Sequence, residues 1–254
     1  MDFRVAVVGL GVGFLVGLTG MGGGAVMTPV LILLGWARPM VAVGTDLMWG
    51  TLTKSVGAFV HHRQGTVDLK IVKRLALGSI PGALAGLTLL AHLHGRGGED
   101  RFVVRTLGIA LVCVALTLFF RSFWPARTQS PAASGLERFP WWLTSLLGAV
   151  VGFLVSLTSV GSGSVIVACL VMIYPVTPLR RIVGSDILHA LLLVGVSALG
   201  HLKMGSVNIR LLTSLLVGSL PGVWLGSRMS VVFPEKVLRP LLAGTLLFLG
   251  YKLL

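Results

Sequence analysis

GFLVGLTGMGGGAV, from Gly13 to Val26, and GFLVSLTSVGSGSV, from Gly152 to Val165, are two copies of one motif. In each, a long apolar run breaks at a cluster of small residues and then resumes briefly. One inserted residue later the correspondence continues. VGTD (Val43 to Asp46) falls on VGSD (Val183 to Asp186), His61 on His201, Gly65-Thr66-Val67 on Gly205-Ser206-Val207, and GSIPG (Gly78 to Gly82) on GSLPG (Gly218 to Gly222). Agreement of Gly, Pro, Asp and His at fixed spacing over such a distance is the signature of an internal duplication.

The surroundings of the motif place it in a membrane. Of 254 residues, 55% are hydrophobic and only 11% charged, well under half the charge of an ordinary soluble domain. Disorder and a secreted disulfide scaffold are excluded on the same ground. The formal net charge of +13 is not a nucleic-acid footprint, because most Lys and Arg sit between apolar runs, where a polytopic chain meets anionic headgroups. Cys113 and Cys169 lie inside apolar runs with no metal-ligand spacing, and are expected to be buried small hydrophobes. The N-terminal run lacks a convincing A-x-A cleavage site and ends in the glycine cluster that recurs later, so it is expected to be the first membrane segment rather than a signal peptide.

A helix crossing the ~30 Å hydrocarbon core needs about 20 apolar residues. Ten segments are expected: 3–19, 24–36, 40–60, 72–92, 102–122, 141–158, 164–175, 179–201, 208–230 and 236–254. Two of them, 24–36 and 164–175, are too short to cross alone. Each follows a glycine-rich break and precedes proline, and each is expected to be a half-helix paired with the helix before it. Irregular backbone at that depth is tolerated only where it is buried in protein or lines a cavity. The stretch 123–140, rich in Pro, Ser and Ala and bearing both signs of charge, is a linker. The expected fold is therefore an all-α polytopic membrane protein. Its first repeat is 1–122 and its second 141–254, five segments each, which makes the repeats inverted. Loop charge agrees: Arg63, Lys70, Lys73 and Arg74 mark a cytoplasmic loop, whereas the counterpart carries only Lys203 and Arg210. Duplicated halves with matching helix breaks point to a secondary transporter whose substrate site lies at the repeat interface.

The motifs GLTGMGGGAVMTPVL and SLTSVGSGSVIVACL, each followed by V-G-[TS]-D and G-S-[IL]-P-G, resemble the TauE/SafE sulfite exporter (TSUP) family over nearly the whole chain. The resemblance implies a multi-pass permease of the prokaryotic inner membrane for small sulfur-containing anions: sulfite, organosulfonates such as sulfoacetate, or thiosulfate. The second half departs from the pattern. Its glycine run is thinned to Gly161-Ser162-Gly163-Ser164, and Ala168 stands where the first half has Pro29, so the two half-sites need not bind alike.

Helices starting after Gly22-Gly23-Gly24 and after Gly161-Ser162-Gly163 expose unpaired N–H groups and the positive ends of their dipoles, natural cradles for an oxyanion. Thr19, Thr158, Ser159, Ser162 and Ser164 add hydroxyls. The competing explanation is close helix packing through small residues. Of eight acidic residues, only Asp46 and Asp186 fall within apolar runs, and they are equivalent in the repeat. An intramembrane carboxyl is a functional candidate by default, here for proton coupling or charge balance; a helix N-cap is the alternative. Lys54, two turns beyond Asp46, has Val194 as its counterpart and is a candidate to draw the anion. Trp49 aligns with His189, three residues beyond each Asp, and both are candidate binding residues. Arg38, Arg180 and Arg181 begin the third helix of each half, at a cavity mouth or among headgroups. His61 and His201 are expected to be structural residues at helix ends, and Pro81 and Pro221 to kink long helices.

No cofactor, metal site or enzyme is expected, since neither H-E-x-x-H nor G-x-S-x-G occurs. The partners expected are the lipid bilayer, a small sulfur anion and protons as coupling ion, with homodimer assembly left open. A passive small-anion channel is the alternative function.

Overall fold

A computed structural model describes residues 2–19, 23–94, 98–123, 140–229 and 235–254. All regular structure among them is helical, in ten helices: α1 (Phe3–Thr19), α2 (Gly24–Leu33), α3 (Pro39–Arg63), α4 (Leu69–His94), α5 (Glu99–Phe123), α6 (Trp141–Thr158), α7 (Ser164–Ile173), α8 (Leu179–Lys203), α9 (Ile209–Met229) and α10 (Glu235–Leu253). The expected linker lies almost wholly outside the described residues.

The helices α2 and α7 have 10 residues each. At 1.5 Å per residue each is ~15 Å long, about half a hydrocarbon core. By contrast α4, α5, α6, α8 and α9 are long and apolar enough to cross a membrane. Large apolar side chains such as Phe59, Leu77, Ile109, Trp224 and Phe248 face outward, as a lipid environment permits. The chain is a multi-pass membrane protein.

The first helix of each half packs on the fourth helix of the other: α1 lies against α9, and α6 against α4. Small residues let these backbones touch. A Cβ at Gly13 would lie 2.8 Å from the Ser219 Cα, and one at Gly152 would lie 2.7 Å from the Ser79 Cα, far inside van der Waals contact. In the centre α3 packs against α8, and α5 pairs with α10. Two apolar clusters flank this centre. One gathers Val12, Met27, Leu111, Leu215 and Leu246; the other gathers Leu75, Leu90, Val155, Leu170 and Leu193.

Two expectations are corrected. Cys113 is exposed on α5 rather than buried, and Cys169 is half-buried. Asp46 and Asp186 are not N-caps: α3 begins at Pro39, after an extended Arg38, and α8 begins at Leu179, after Pro178. Both aspartates therefore lie two turns inside their helices. The capping belongs to the residues before them and acts on the opposite half. Thr45 Oγ1 accepts the Asn208 N–H at 3.0 Å at the start of α9, and Ser185 Oγ accepts the Asp68 N–H at 2.8 Å at the start of α4.

Candidate functional site

The two helix breaks meet. At the end of α6 Ser159 turns into the left-handed conformation (φ 61°), closing the helix with its N–H on the Val155 carbonyl at 2.8 Å, a C-terminal stop more often built with glycine. Gly161 follows at φ 109°. The Ser159 carbonyl oxygen lies directly against Gly24, the first residue of α2, and a Cβ there would fall inside it. The start of one half-helix thus abuts the approach to the other. The first N–H groups of each half-helix have no intrahelical acceptor, so polar backbone from both breaks collects in one place.

From α3, Lys54 reaches this place. It is half-buried, and its Nζ donates to the Ser162 carbonyl at 3.3 Å, joining α3 to the second break. Asp46 and Asp186 both lie within charge–charge range of it, and His189 is also in range. Both carboxyls are buried. Asp46 Oδ2 accepts the Thr28 hydroxyl at 2.6 Å, and the Ser159 hydroxyl lies beside the same carboxyl. Asp46 Oδ1, Asp186 Oδ1 and His189 Nδ1 are buried with no hydrogen-bond partner. An orphaned buried polar atom costs about 1–3 kcal/mol, and three of them belong to residues within charge range of Lys54.

Trp49 and His189 bracket the centre in matching ways. The Trp49 ring covers Gly23, and its Nε1–H donates to Ser219 Oγ at 2.6 Å. His189 Nε2 pairs with Ser79 Oγ at 2.8 Å. Ser79 and Ser219 are the serines of the repeated G-S-[IL]-P-G motif, so each bond crosses between the halves. Of the other expected binding residues, the Thr19 and Thr158 hydroxyls donate to carbonyls of their own helices, Leu15 at 2.8 Å and Leu154 at 2.7 Å; Thr158 Oγ1 also accepts the Val160 N–H at 3.2 Å. Ser162 contributes its carbonyl, Gly163 precedes α7, and Ser164 begins it. Gly22 lies outside the described residues.

Other expected residues lie away from the centre. Arg180 Nη2 reaches Gln64 Oε1 at 3.4 Å. His61 Nδ1 pairs with Thr66 Oγ1, and His201 Nδ1 with Ser206 Oγ, each at 2.9 Å at a helix end, the structural placement expected of them. Pro81 and Pro221 lie inside α4 and α9. Thr28, Ser79 and Ser219 did not stand out in the sequence as site residues, and Thr45 and Ser185 stood out only as local helix-start residues beside Asp46 and Asp186. The two motif serines carried a signal, since they recur at equivalent positions beside glycine; Thr28 carried none, because its partner is 18 positions away.

Comparison with known proteins agrees on the class. A family model described as sulfite exporter TauE/SafE matches residues 5–253. The chain is 39% identical over 264 aligned positions to the probable membrane transporter protein YjnA of Bacillus subtilis, covering all of both chains. It is 26% identical to the probable membrane transporter protein YdhB of the same organism, covering 92% of this chain and 95% of that one. A probable membrane transporter protein, ORF9, of a Sinorhizobium species is 25% identical over 95% of this chain and 88% of its own. No solved structure matches. Ten helices with paired breaks and a family match from end to end lead to one statement: the chain belongs to the TauE/SafE sulfite exporter family of membrane transporters.

Proposed function

We propose that this transporter is a secondary permease for a small sulfur-containing anion, such as sulfite, sulfoacetate or another organosulfonate, or thiosulfate. It works in a prokaryotic inner membrane by alternating access between two inverted halves, 1–122 and 141–254. The observation that carries this reading is the meeting of the two breaks at Gly24 and Ser159 with the Lys54 ammonium on the Ser162 carbonyl. The anion sits between the starts of α2 and α7, where backbone N–H groups and helix dipoles favour negative charge and Lys54 supplies a full positive one. The crossed packing of α1 on α9 and α6 on α4 supports rocking of one half against the other, since each half grips the other by equivalent helices.

A carboxyl repels an anion, so two buried carboxyls beside an anion cradle need a role. Protons provide it: a carboxyl that takes up a proton removes the repulsion, which couples anion movement to the proton gradient. The experiment is radiotracer flux in proteoliposomes, with sulfite, sulfoacetate, thiosulfate and chloride offered in parallel, with and without an imposed pH gradient. Saturable flux of one sulfur anion that follows the gradient is the expected result. Fast, unsaturating flux led by chloride would replace the carrier with a channel.

A further inference from the structure

The two central carboxyls are equivalent in the repeat and unequal in their surroundings. Asp46 has the Thr28 hydroxyl at 2.6 Å and the Ser159 hydroxyl beside it. The residue equivalent to Thr28 is Val167, half-buried against an apolar cluster built from both halves. Val167 has no hydroxyl to give. One oxygen of each carboxyl, Asp46 Oδ1 and Asp186 Oδ1, is buried without a partner, and the difference between them is the Thr28 donor on Asp46 Oδ2. Three residues further on the contrast repeats. Trp49 carries one N–H, which is bonded to Ser219. His189 carries two ring nitrogens, of which Nε2 meets Ser79 and the buried Nδ1 meets nothing.

We propose that the two halves divide the work, with Asp186 as the carboxyl that takes up and releases the coupling proton and Asp46 as a permanently ionised partner of Thr28 and Lys54. The inference rests on the proton-coupled reading of the site and deepens it. The step is a proton transfer and nothing more. A proton from the aqueous side adds to a carboxylate oxygen of Asp186, giving the neutral acid, and leaves as a proton on the other side. Its consequence falls on Lys54. With Asp186 ionised, one ammonium faces two carboxylates; with Asp186 neutral, Asp46 and Lys54 balance, and an entering anion meets one negative charge fewer. Proton and anion therefore move together.

The groups that face Asp186 are few. From α3 it sees Lys54, whose charge is also felt by Asp46. On its own helix it has His189 one turn on. The α6 helix has no ionisable side chain, and α7 has only Cys169. The basic residues of α4 nearest its start, Lys70, Lys73 and Arg74, lie in its first two turns, where Arg74 Nη1 donates to the Tyr174 hydroxyl at 3.1 Å. Asp68 presents its N–H to Ser185, while its carboxyl accepts the Lys70 N–H at 2.9 Å. His92, in the last turn of α4, turns to the Thr88 carbonyl at 3.1 Å. The charge that Asp186 answers to is therefore Lys54.

The test is difference infrared spectroscopy on the purified full chain in detergent across a pH series, comparing wild type with Asp186→Asn and Asp46→Asn. The wild-type minus Asp186→Asn spectrum should contain a protonated-carboxyl band that rises and falls with pH. The wild-type minus Asp46→Asn spectrum should contain an ionised carboxylate throughout. The reverse pattern, or a titrating band in both, overturns the proposal. Thr28→Val, which removes one of the two hydroxyls beside Asp46 and leaves Asp186 untouched, should add a second titrating band; no added band overturns the role given to Thr28 in keeping Asp46 ionised. In proteoliposomes loaded with radiolabelled sulfite, Asp186→Asn should keep sulfite–sulfite exchange and lose gradient-driven uptake, whereas Asp46→Asn should lose both. Equal phenotypes overturn the division of work. Wild-type protein that moves no sulfite defeats the choice of sulfite as substrate, while the infrared comparison still decides between the two carboxyls.

Discussion

Set side by side, the two walls of the central site share a frame and differ in chemistry. The frame is matched residue for residue: Thr45 on Asn208 and Ser185 on Asp68, Gly13 over Ser219 and Gly152 over Ser79, His61 with Thr66 and His201 with Ser206. The chemistry is not. The first half has Thr28, Trp49 and Lys54 there; the equivalent positions of the second are His189 and two valines, Val167 and Val194, packed in an apolar cluster. The matched positions are those that hold helices at a fixed crossing, since a backbone contact tolerates no side chain. The positions around Lys54 carry no such backbone contact, and it is there that the two halves differ.

The largest effect is expected where the two walls touch. Gly24→Ala places a methyl group inside the Ser159 carbonyl, and overpacking of this kind costs roughly 1–3 kcal/mol. Because the shift falls on the break itself, sulfite uptake should be lost while the protein still elutes as a single species. Gly11→Ala is the control: nothing lies within 4 Å of the added carbon, and uptake should match wild type. Lys54→Met comes next. Losing a charged hydrogen bond worth about 1.5–3 kcal/mol should weaken anion binding roughly tenfold to a hundredfold, read as a raised half-saturation concentration.

Thr28→Val sharpens the contrast between the walls by making the first resemble the second. It leaves a buried carboxyl oxygen without its donor, so thermal unfolding in detergent should show a loss of about 1–3 kcal/mol. Val194→Lys, which copies Lys54 into the second half, is its reciprocal; it should disturb uptake because a second ammonium would compete for the same two carboxyls. The smallest effects test the shared frame. Thr45→Ala and Ser185→Ala should each cost about 1 kcal/mol, as loss of a helix cap does, and by similar amounts. A large inequality between them would break the symmetry of the frame.

Much of this was legible because membrane folds announce themselves through composition and because glycine and proline punctuate a duplication. The half-helices that begin at Gly24 and Ser164 followed from run lengths together with the glycine breaks before them, and the burial of Asp46 and Asp186 agrees with their place inside apolar runs. What escaped was partnership. The pairs Thr45–Asp46 and Ser185–Asp186 have the look of local caps, yet the hydroxyls cap helices 163 and 117 positions away. A cap is recognised by chain neighbours, and the sequence carries no sign that the helix start being capped belongs to the other half. The exposure of Cys113 was hidden for a related reason: in a lipid-facing helix an apolar residue is as content outside as inside.

The most direct test of the central claim is the stoichiometry of sulfite binding to purified protein by isothermal titration calorimetry. If the two breaks build a single site around Lys54, the wild-type chain binds one sulfite, Gly24→Ala abolishes the heat, and Lys54→Met weakens the binding roughly tenfold to a hundredfold. Two sulfites per chain, or one whose affinity ignores both substitutions, would contradict a shared site between the halves.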